Sequence, residues 1–151
     1  MGWEEIERMG SKMVRIAAPA ALNEAQDYGS AFSRGVKVPC TPGDLILLSG
    51  TASIDEHGVT VHVGDFRLQV RRMLHNVTLL LDAAGARWHD VIRTTFYLRD
   101  IDRDYAVFNE ERTTFYQELG LEPLPASTAI EARLCRPDLL IEMELMAMVR
   151  S

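Results

Sequence analysis

The chain has 151 residues, of which 47% are hydrophobic and 25% charged, a balance typical of one globular domain with a buried core. Its net charge of −6 argues against nucleic acid as a partner, because nucleic-acid binding depends on Lys and Arg at the phosphates. No apolar run is long enough to cross a bilayer, and MGWEEIERMG at the N-terminus carries acids where a secretory signal carries basic residues. We therefore expect a cytoplasmic protein that has no membrane partner.

The beginning of the chain predicts a lead-in followed by two strands. Residues 1–30 have mixed charge and an Ala-rich polar stretch, so we interpret them as an N-terminal extension and residues 31–151 as the domain. A short strand is predicted over Phe32–Val38, and the dense turn signal Pro39–Asp44 ends it. The apolar run Leu45–Ser53 predicts a strong second strand.

The middle of the chain predicts a loop, a helix and a strand. Residues 54–64 alternate valine with polar residues between two glycines, which is typical of a hairpin or a long functional loop. Asp65 is a suitable N-cap, the following apolar residues recur at helical spacing, and Gly85 is a typical helix stop. Val91–Leu98 is rich in β-branched and aromatic residues, which predicts a strand.

The C-terminal part predicts a second helix and two more strands. Asp102 can cap a helix that ends at Gly120, and two prolines soon after it forbid further helix. Strands are then predicted over Ser127–Leu134 and Leu139–Val149, with a turn between them. Helices that both connect strands of one sheet are expected to cover one face of it, which is an α+β arrangement.

The last strand predicts what lies on the opposite face of the sheet. Alternation directs Ile141, Met143 and Leu145 to one side. The other side combines acids with apolar residues, namely Leu140, Glu142, Glu144, Met146 and Met148. A chain of this length has no further layer to place there, so we expect a subunit interface in a cyclic oligomer.

The two acids of that strand are the first candidates for chemistry. Glu142 and Glu144 lie two residues apart, so both carboxyl groups point to the same face. A carboxyl group beside Leu140 and Met146 is partly desolvated, which raises its pKa and suits general acid or base catalysis. The alternative is an exposed strand whose acids are solvated or paired with Arg.

Other candidates carry polar groups that suit an anionic ligand. Ser49, Gly50 and Thr51 could bind a carboxylate or hold a water through hydroxyl and amide groups, or could simply end the strand. Asn109 lies in the middle of a predicted helix, where it faces either a site or water.

A second group of candidates surrounds Cys135. The guanidinium groups of Arg133 and Arg136 suit a carboxylate substrate, although surface ion pairs would place the same residues there. Both Cys135 and Cys40 are interpreted as free thiols, because no His lies near Cys135 in sequence and two cysteines make no disulfide framework.

The histidines show no metal-binding spacing. His57, His62, His75 and His89 form neither an HxxH nor an HExxH pattern. We therefore expect no metal and no cofactor.

Several segments, taken in order, resemble the Rid (YjgF-like, reactive-intermediate deaminase) superfamily. They are LILLSG, AAGARWHDVIRTTFYLRD, YAVFNEERTTFY, PASTAIEARL and LLIEMELMA. The resemblance implies a chorismate-mutase-like fold with a mixed sheet and two helices on one face. It also implies a homotrimer with pockets between subunits, and hydrolysis of reactive enamines and imines to ketones and ammonia.

The resemblance also implies roles for particular residues. Ser49 and Gly50 match the family's pocket serine and glycine, Asn109 its pocket asparagine, and Glu142 the glutamate that orients the hydrolytic water. Phe32 stands where the family has a pocket tyrosine. The family's Arg-Ser-Thr segment reads Ala126-Ser127-Thr128 here, which leaves Ser127 as a binding candidate and places the chain with branches that lack the arginine.

A second resemblance is to the C-terminal half of chorismatases. It rests on FSRG, SGTASI, VHVGD and LCRPDLLIEMEL. It implies hydrolysis of an enol ether, with Glu142 as the acid and Arg133 or Arg136 on the substrate carboxylates.

Three functions thus remain open at this stage. The first is hydrolysis of a small enamine, imine or enol ether that carries a carboxylate, and the second is a non-catalytic, metabolite-binding trimer. The third is the ribonuclease activity sometimes attached to the family, against which the acidic charge and the absence of a His pair argue.

Overall fold

The structure is a computed structural model and describes residues 13–40 and 42–150. The strands are β1 (Val14–Ile16), β2 (Gly35–Cys40), β3 (Gly43–Ala52), β4 (Val91–Leu98), β5 (Ala126–Glu131) and β6 (Ile141–Arg150). The long helices are α1 (Phe66–Ala84) and α2 (Ile101–Leu119), and short 3₁₀ helices span Ala25–Tyr28 and Trp88–Asp90.

These strands form one sheet in the order β1-β2-β3-β6-β4-β5. β4 and β5 are parallel and all other neighbours are antiparallel. The predicted α+β class, with a mixed sheet and two helices on one face, is confirmed. Within the described residues, neither α1 nor α2 has a stretch apolar enough to span a membrane.

The caps of the helices show which local signals decide their ends. The side chain of Asp65 accepts a hydrogen bond from the Leu68 amide at 3.0 Å, and Gly85 ends α1 with a φ of 76°, both as predicted. The predicted cap Asp102 is wrong, because Asp100 caps α2 by accepting from the Arg103 amide at 3.0 Å. Asp100 has the extended backbone that an N-cap requires, whereas Asp102 lies in the first turn, where an acid complements the helix dipole.

The hairpin of β2 and β3 corrects the predicted strand Phe32–Val38. β2 begins three residues later, at Gly35, and continues through Pro39 to Cys40, which pairs with Gly43. A strand can include Pro39 here because β1 pairs with residues 35–37, so within the described residues no strand on that side pairs with Pro39.

The segment between β5 and β6 corrects both predicted strands beside it. β5 ends at Glu131, and β6 begins at Ile141, two residues after the predicted start at Leu139. The guanidinium group of Arg99 donates to the carbonyls of Leu139 and Arg136, both at 2.6 Å, and holds the intervening chain as a loop.

The core lies between the sheet and the two helices. Ile141, Met143, Leu145 and Ala147 of β6 are buried on this side, as the alternation predicts. Phe96 of β4 packs on Phe108 of α2 with ring centroids 4.6 Å apart, which joins the sheet to the second helix.

The other face of the sheet is partly exposed. Met146 is 41% exposed and Ile130 is 44% exposed, and strand register places both on this side with Glu142 and Tyr97. The expected interface between copies is a prediction for this face.

Residues before β2 contribute to the same core. β1 pairs with β2, and Leu22 and Ala25 are fully buried. The interpreted extension of residues 1–30 therefore includes packed residues, and the division at residue 30 stays a prediction. Residues 1–16 also show some helical spacing in the sequence. Residues 1–12 of this stretch lie outside the described part of the chain, and Val14–Ile16 is a strand.

Candidate functional site

An irregularity in the pairing of β3 with β6 builds the centre of the site. Leu48 pairs with Leu145 and Thr51 with Met143, so the register shifts across Ser49 and Gly50. A β-bulge of this kind redirects the strand and leaves its extra residue unpaired. The bulge places Gly50 against the carboxyl group of Glu142, and a Cβ atom at Gly50 would lie 3.0 Å from Glu142 Cδ.

Glu142 lines a small cleft of about 120 Å³ where β3 ends and β6 begins. Predicted and neighbouring residues share this cleft, which is partly aromatic and partly basic. The lining includes Tyr28, Phe32, Arg34, Gly50, Cys135, Arg136 and Glu142. The structure thus brings together Phe32, Gly50, Cys135, Arg136 and Glu142 from the predicted site.

The electrostatic setting of Glu142 favours its protonated form. Burial raises the pKa of the carboxyl group, the negative charge of Glu144 adds to the increase, and Arg34 and Arg136 oppose it. Within residues 13–40 and 42–150, no group forms a hydrogen bond to this carboxyl group. Glu142 is therefore a half-buried acid without a direct partner.

Glu144 has a different environment although it lies on the same face. It is exposed, and the Tyr97 hydroxyl donates a hydrogen bond to its Oε1 at 2.9 Å. That bond raises the pKa of Tyr97. The structure thus separates the two acids into an exposed, bonded one and a half-buried one.

Arg34 is a lining residue that the sequence analysis missed. It is only 2% exposed, and it donates from Nε to the Asn23 carbonyl at 2.8 Å and from Nη2 to Asn23 Oδ1 at 3.1 Å. Its guanidinium carbon lies 5.6 Å from the ring centroid of Tyr28 and 5.5 Å from that of Phe32. The FSRG segment contains the residue, but only the long-range pairing of its backbone directs it into the cleft.

Arg136 reaches the same cleft from the loop before β6. Its Nη1 donates to the Gly58 carbonyl at 2.6 Å, and its guanidinium carbon lies 5.5 Å from the Tyr28 ring centroid. Tyr28, also missed by the sequence analysis, therefore lies beside both arginines.

A buried amide of α1 holds the loops around the cleft. Gln69 donates to the carbonyls of His62 at 3.2 Å and Asp138 at 2.9 Å, and accepts from the Leu140 amide at 2.9 Å. Thr60 adds a bond to Asp138 Oδ1 at 3.0 Å. The 54–64 loop and the loop that carries Arg136 are thus tied to one helix.

Ser49 and Thr51 use their donors to shape the bulge. The Ser49 hydroxyl donates to the Ser33 carbonyl at 2.6 Å, and its amide donates to the Arg34 carbonyl at 2.9 Å. Thr51 is buried, and its hydroxyl donates to the Ser49 carbonyl at 2.9 Å. In this structure both side chains hold the segment that presents Arg34.

Asn109 and Ser127 lie in a separate cleft beside the C-terminal half of α2. Arg112 joins them, since Nη2 donates to Asn109 Oδ1 at 2.7 Å and Nη1 to Ser127 Oγ at 3.2 Å. Tyr116 and Leu124 also line this cleft. One chain therefore does not bring Asn109 and Ser127 to Glu142, and Arg112 is a further residue that the sequence analysis missed.

The remaining candidates lie at the surface. Arg133 is exposed and lines neither cleft. Cys40 and Cys135 are free thiols, as predicted, and both are exposed. Within the described parts of the chain, no cluster of three or more His, Cys, Asp or Glu side chains is arranged to hold a metal.

Comparison with known proteins supplies the context for this geometry. The sequence model described as Endoribonuclease L-PSP matches residues 22–149. The chain is 35% identical over 116 residues to a RutC family protein of Pyrococcus abyssi, covering 77% of this chain and 84% of that protein. It is 35% identical over 113 residues to the 3-aminoacrylate deaminase RutC of Acinetobacter baylyi, covering 74% of this chain and 86% of that protein.

Solved structures show the same fold. The YjgF gene product of E. coli superposes with a TM-score of 0.74 at 26% identity, covering 91% of this chain and 99% of that one. The arrangement of strands and helices described above is thus a known architecture.

Proposed function

The chain belongs to the Endoribonuclease L-PSP family, which is the YjgF or Rid family, and on this premise we propose that it hydrolyses small imines or enamines to a carbonyl compound and ammonia. Two kinds of support are independent of each other. One is the name of the relative in Acinetobacter baylyi, a deaminase of an enamine acid. The other is the environment of Glu142.

The half-buried carboxyl group of Glu142 is the observation that carries the proposal. A raised pKa brings a carboxyl group closer to neutrality, where it can both accept and return a proton efficiently. Because no described residue is hydrogen-bonded to it, its oxygens remain able to bond a water. A carboxylate held in an ion pair would lack both properties.

An enamine first becomes its imine tautomer when a proton leaves nitrogen and one is added to the β-carbon. From the imine, the chemistry needs one water and two proton transfers. Water adds its oxygen to the imine carbon, ionised Glu142 takes a proton from that water, and the C=N electron pair moves to nitrogen. Protonated Glu142 then gives the proton to nitrogen, which yields a neutral carbinolamine. A second transfer from the hydroxyl to nitrogen, again through Glu142, breaks the C–N bond and releases ammonia and the carbonyl product.

Substitution of Glu142 tests this role. In E142Q the amide cannot accept the proton, so kcat/KM for 2-iminobutanoate or 3-aminoacrylate generated in the assay should fall about 10²- to 10⁴-fold. Circular dichroism should show an unchanged fold, and E144Q should keep most of the activity because Glu144 is exposed and bonded to Tyr97. Turnover in E142Q within threefold of the unaltered protein would refute the mechanism.

The same assay distinguishes the other functions. Binding of a small carboxylate without turnover of either substrate would make the protein a metabolite-binding module. Chorismatase-like hydrolysis of an enol ether stays a prediction from the sequence, and release of pyruvate from chorismate would support it.

We propose further that three copies assemble through the open face of the sheet. The exposed Met146 and Ile130 on that face support this, since burial of apolar surface is the main stabilising term in obligate assemblies. Light scattering should give three times the 17.0 kDa mass of the chain, and a monomer at assay concentration would contradict it.

A further inference from the structure

Arg34 is a buried cation without a buried anion beside it. Its side chain is almost fully enclosed, yet no carboxylate of residues 13–40 or 42–150 lies within 4.0 Å of its guanidinium nitrogens. A buried charge is unfavourable unless it is paired and fully hydrogen-bonded. The two hydrogen bonds to Asn23 use two of the five guanidinium donors, and among the described residues the other donors remain able to bond a ligand.

Arg136 presents a second guanidinium group to the same cleft. One of its nitrogens is bonded to Gly58, which anchors the side chain in place. The centroid of the Tyr28 ring lies within 5.6 Å of both guanidinium carbons, so the two cations lie beside the same aromatic ring. The two positive charges repel each other, and an anion that lies between them relieves this repulsion.

Glu142 is the acid that shares the cleft with Arg34 and Arg136, but it neutralises their charge poorly. It forms no ion pair within 4.0 Å with either arginine, and its burial disfavours the ionised form. Within the described chain the cleft therefore contains two cations and an acid whose ionisation is disfavoured by burial. This combination is complementary to a small anion that carries a group able to react at Glu142.

We propose that Arg34 and Arg136 together bind the carboxylate of the substrate and thereby place its neighbouring C=N carbon at Glu142. The substrate class is a 2-imino or 3-amino-2-enoic acid, and the product is the corresponding oxo acid. This inference rests on the proposed function for the identity of the reaction, but binding of the carboxylate is a separate property and can be measured without turnover.

The geometry of the pair explains why both arginines are needed. A carboxylate has two oxygens, and guanidinium groups approaching from different segments, the lead-in to β2 and the loop before β6, can each donate to one of them. Arg34 is rigid because it is buried, and Arg136 is held by a loop that Gln69 ties to α1. The clamp is thus built before the ligand arrives, which lowers the entropy lost on binding.

Binding of pyruvate and of its neutral amide, pyruvamide, to the full chain tests the clamp by calorimetry. The two ligands have nearly the same shape, so a preference for pyruvate reports recognition of the charge. In R34Q and R136Q the affinity for pyruvate should fall on the order of 10- to 100-fold, while the affinity for pyruvamide stays within about threefold. R34K should retain part of the affinity, since it keeps the charge but loses the planar fork.

R71Q is the matched control, because it removes one positive charge from the outer surface of α1, where Arg67 still pairs with Glu111. Its affinity for pyruvate should equal that of the unaltered protein. If R34Q does not fold, as shown by circular dichroism, R136Q and R34K decide the question, because Arg136 is only half-buried.

The outcomes separate the clamp from the reaction. No preference for pyruvate over pyruvamide, or unchanged pyruvate affinity in folded R136Q and R34K, overturns the clamp. If imine turnover persists in that case, the proposed function stands without it. If instead pyruvate binds through Arg34 and Arg136 while neither imine nor enamine is hydrolysed, the clamp stands and the proposed function fails.

Discussion

Two glutamates of this protein each lie near two arginines, but their pKa values shift in opposite directions. Glu111 on α2 is 8% exposed and forms ion pairs with Arg67 and with Arg71, the latter at 2.7 Å, and these bonds lower its pKa. Glu142 has Arg34 and Arg136 in its cleft but bonds to neither, and burial raises its pKa. Both places combine one glutamate with two arginines, so direct contact and burial decide the direction of the pKa shift.

The difference shows how a stabilising ion pair and a reactive acid are built from the same residue types. Direct hydrogen bonds from a guanidinium group outweigh the loss of hydration and fix the carboxylate as an anion. Without them, desolvation outweighs the attraction of more distant charges. A carboxyl group of the second kind has a raised pKa and free oxygens that suit proton exchange, whereas one of the first kind serves structure.

After substitution of Glu142 itself, the largest effect on activity is expected from a change that displaces Glu142 without altering its chemistry. In G50A the new Cβ would occupy the place of the Glu142 carboxyl end, which must move because it is the flexible partner of the contact. A shift of about 1 Å in a catalytic group can reduce activity about 100-fold, so kcat/KM should fall by roughly that factor. The melting temperature should change little.

G85A provides the matched control for the glycine change. Gly85 has a φ of 76°, and a Cβ there meets only Lys37 Nζ at 3.9 Å, so strain at the helix end should cost about 1 kcal/mol of stability. Its activity should be unchanged. Equal activity in G50A and G85A would contradict the argument that Gly50 sets the position of Glu142.

The next effect concerns the pH dependence of stability. The contributions of Glu111 and Glu142 to stability change in opposite directions as pH rises. The pKa of Glu111 in the folded protein lies below 4.5, so its contribution to stability is present above pH 4.5 and is lost as pH falls through that pKa. The pKa of Glu142 lies above 4.5, so the folded state binds the proton more tightly. Its contribution is present below pH 4.5 and is lost as pH rises through the folded pKa.

Urea unfolding of E111Q and E142Q between pH 3 and pH 7 measures both contributions. At pH 7, E111Q should lower the free energy of unfolding by about 1 kcal/mol, since Arg67 and Arg71 lose charged hydrogen bonds. E142Q should equal or exceed the unaltered protein at pH 7, because it removes a partly desolvated anion. A loss of stability in E142Q as large as that in E111Q would abolish the distinction.

The smallest effect is expected at Glu144. Its negative charge raises the pKa of Glu142, so E144Q should lower that pKa and extend the acid limb of the kcat/KM profile to lower pH. Y97F removes the hydrogen bond to Glu144 but leaves the charge, and should leave the limb in place. If the acid limb of the kcat/KM profile shifts in Y97F and not in E144Q, the pKa of Glu142 depends on the hydrogen bond and not on the charge of Glu144.

Local patterns predicted much of the fold. Asp65 and Gly85 mark the ends of α1, and β4 spans Val91–Leu98, both as predicted. These predictions succeed because caps and strand preference depend on residues that are adjacent in sequence. Alternation along β6 correctly separated Glu142 from Ile141 and Met143. The predicted cap at Asp102 was wrong by two residues, because Asp100 caps the helix instead. The predicted strand start at Phe32 was wrong by three residues, because pairing with β3 begins at Gly35.

The candidate site was predicted less completely. Glu142, Gly50 and Arg136 share a cleft, but Arg34 and Tyr28 were missed because no local pattern shows that residues before β2 turn toward β6. Asn109 and Ser127 lie with Arg112 in another cleft of the chain, which sequence order does not reveal.

The sequence by itself determined the class of fold, the family and the acid on the last strand, since periodicity, caps and ordered motifs are properties of adjacent residues. Only the tertiary structure decided which arginines meet that acid and at what distance. The β3–β6 bulge and the loops bound to Gln69 set those distances through hydrogen bonds between residues far apart in the chain. Because a pKa depends on contacts and burial more than on residue type, the chemistry of Glu142 became visible only there.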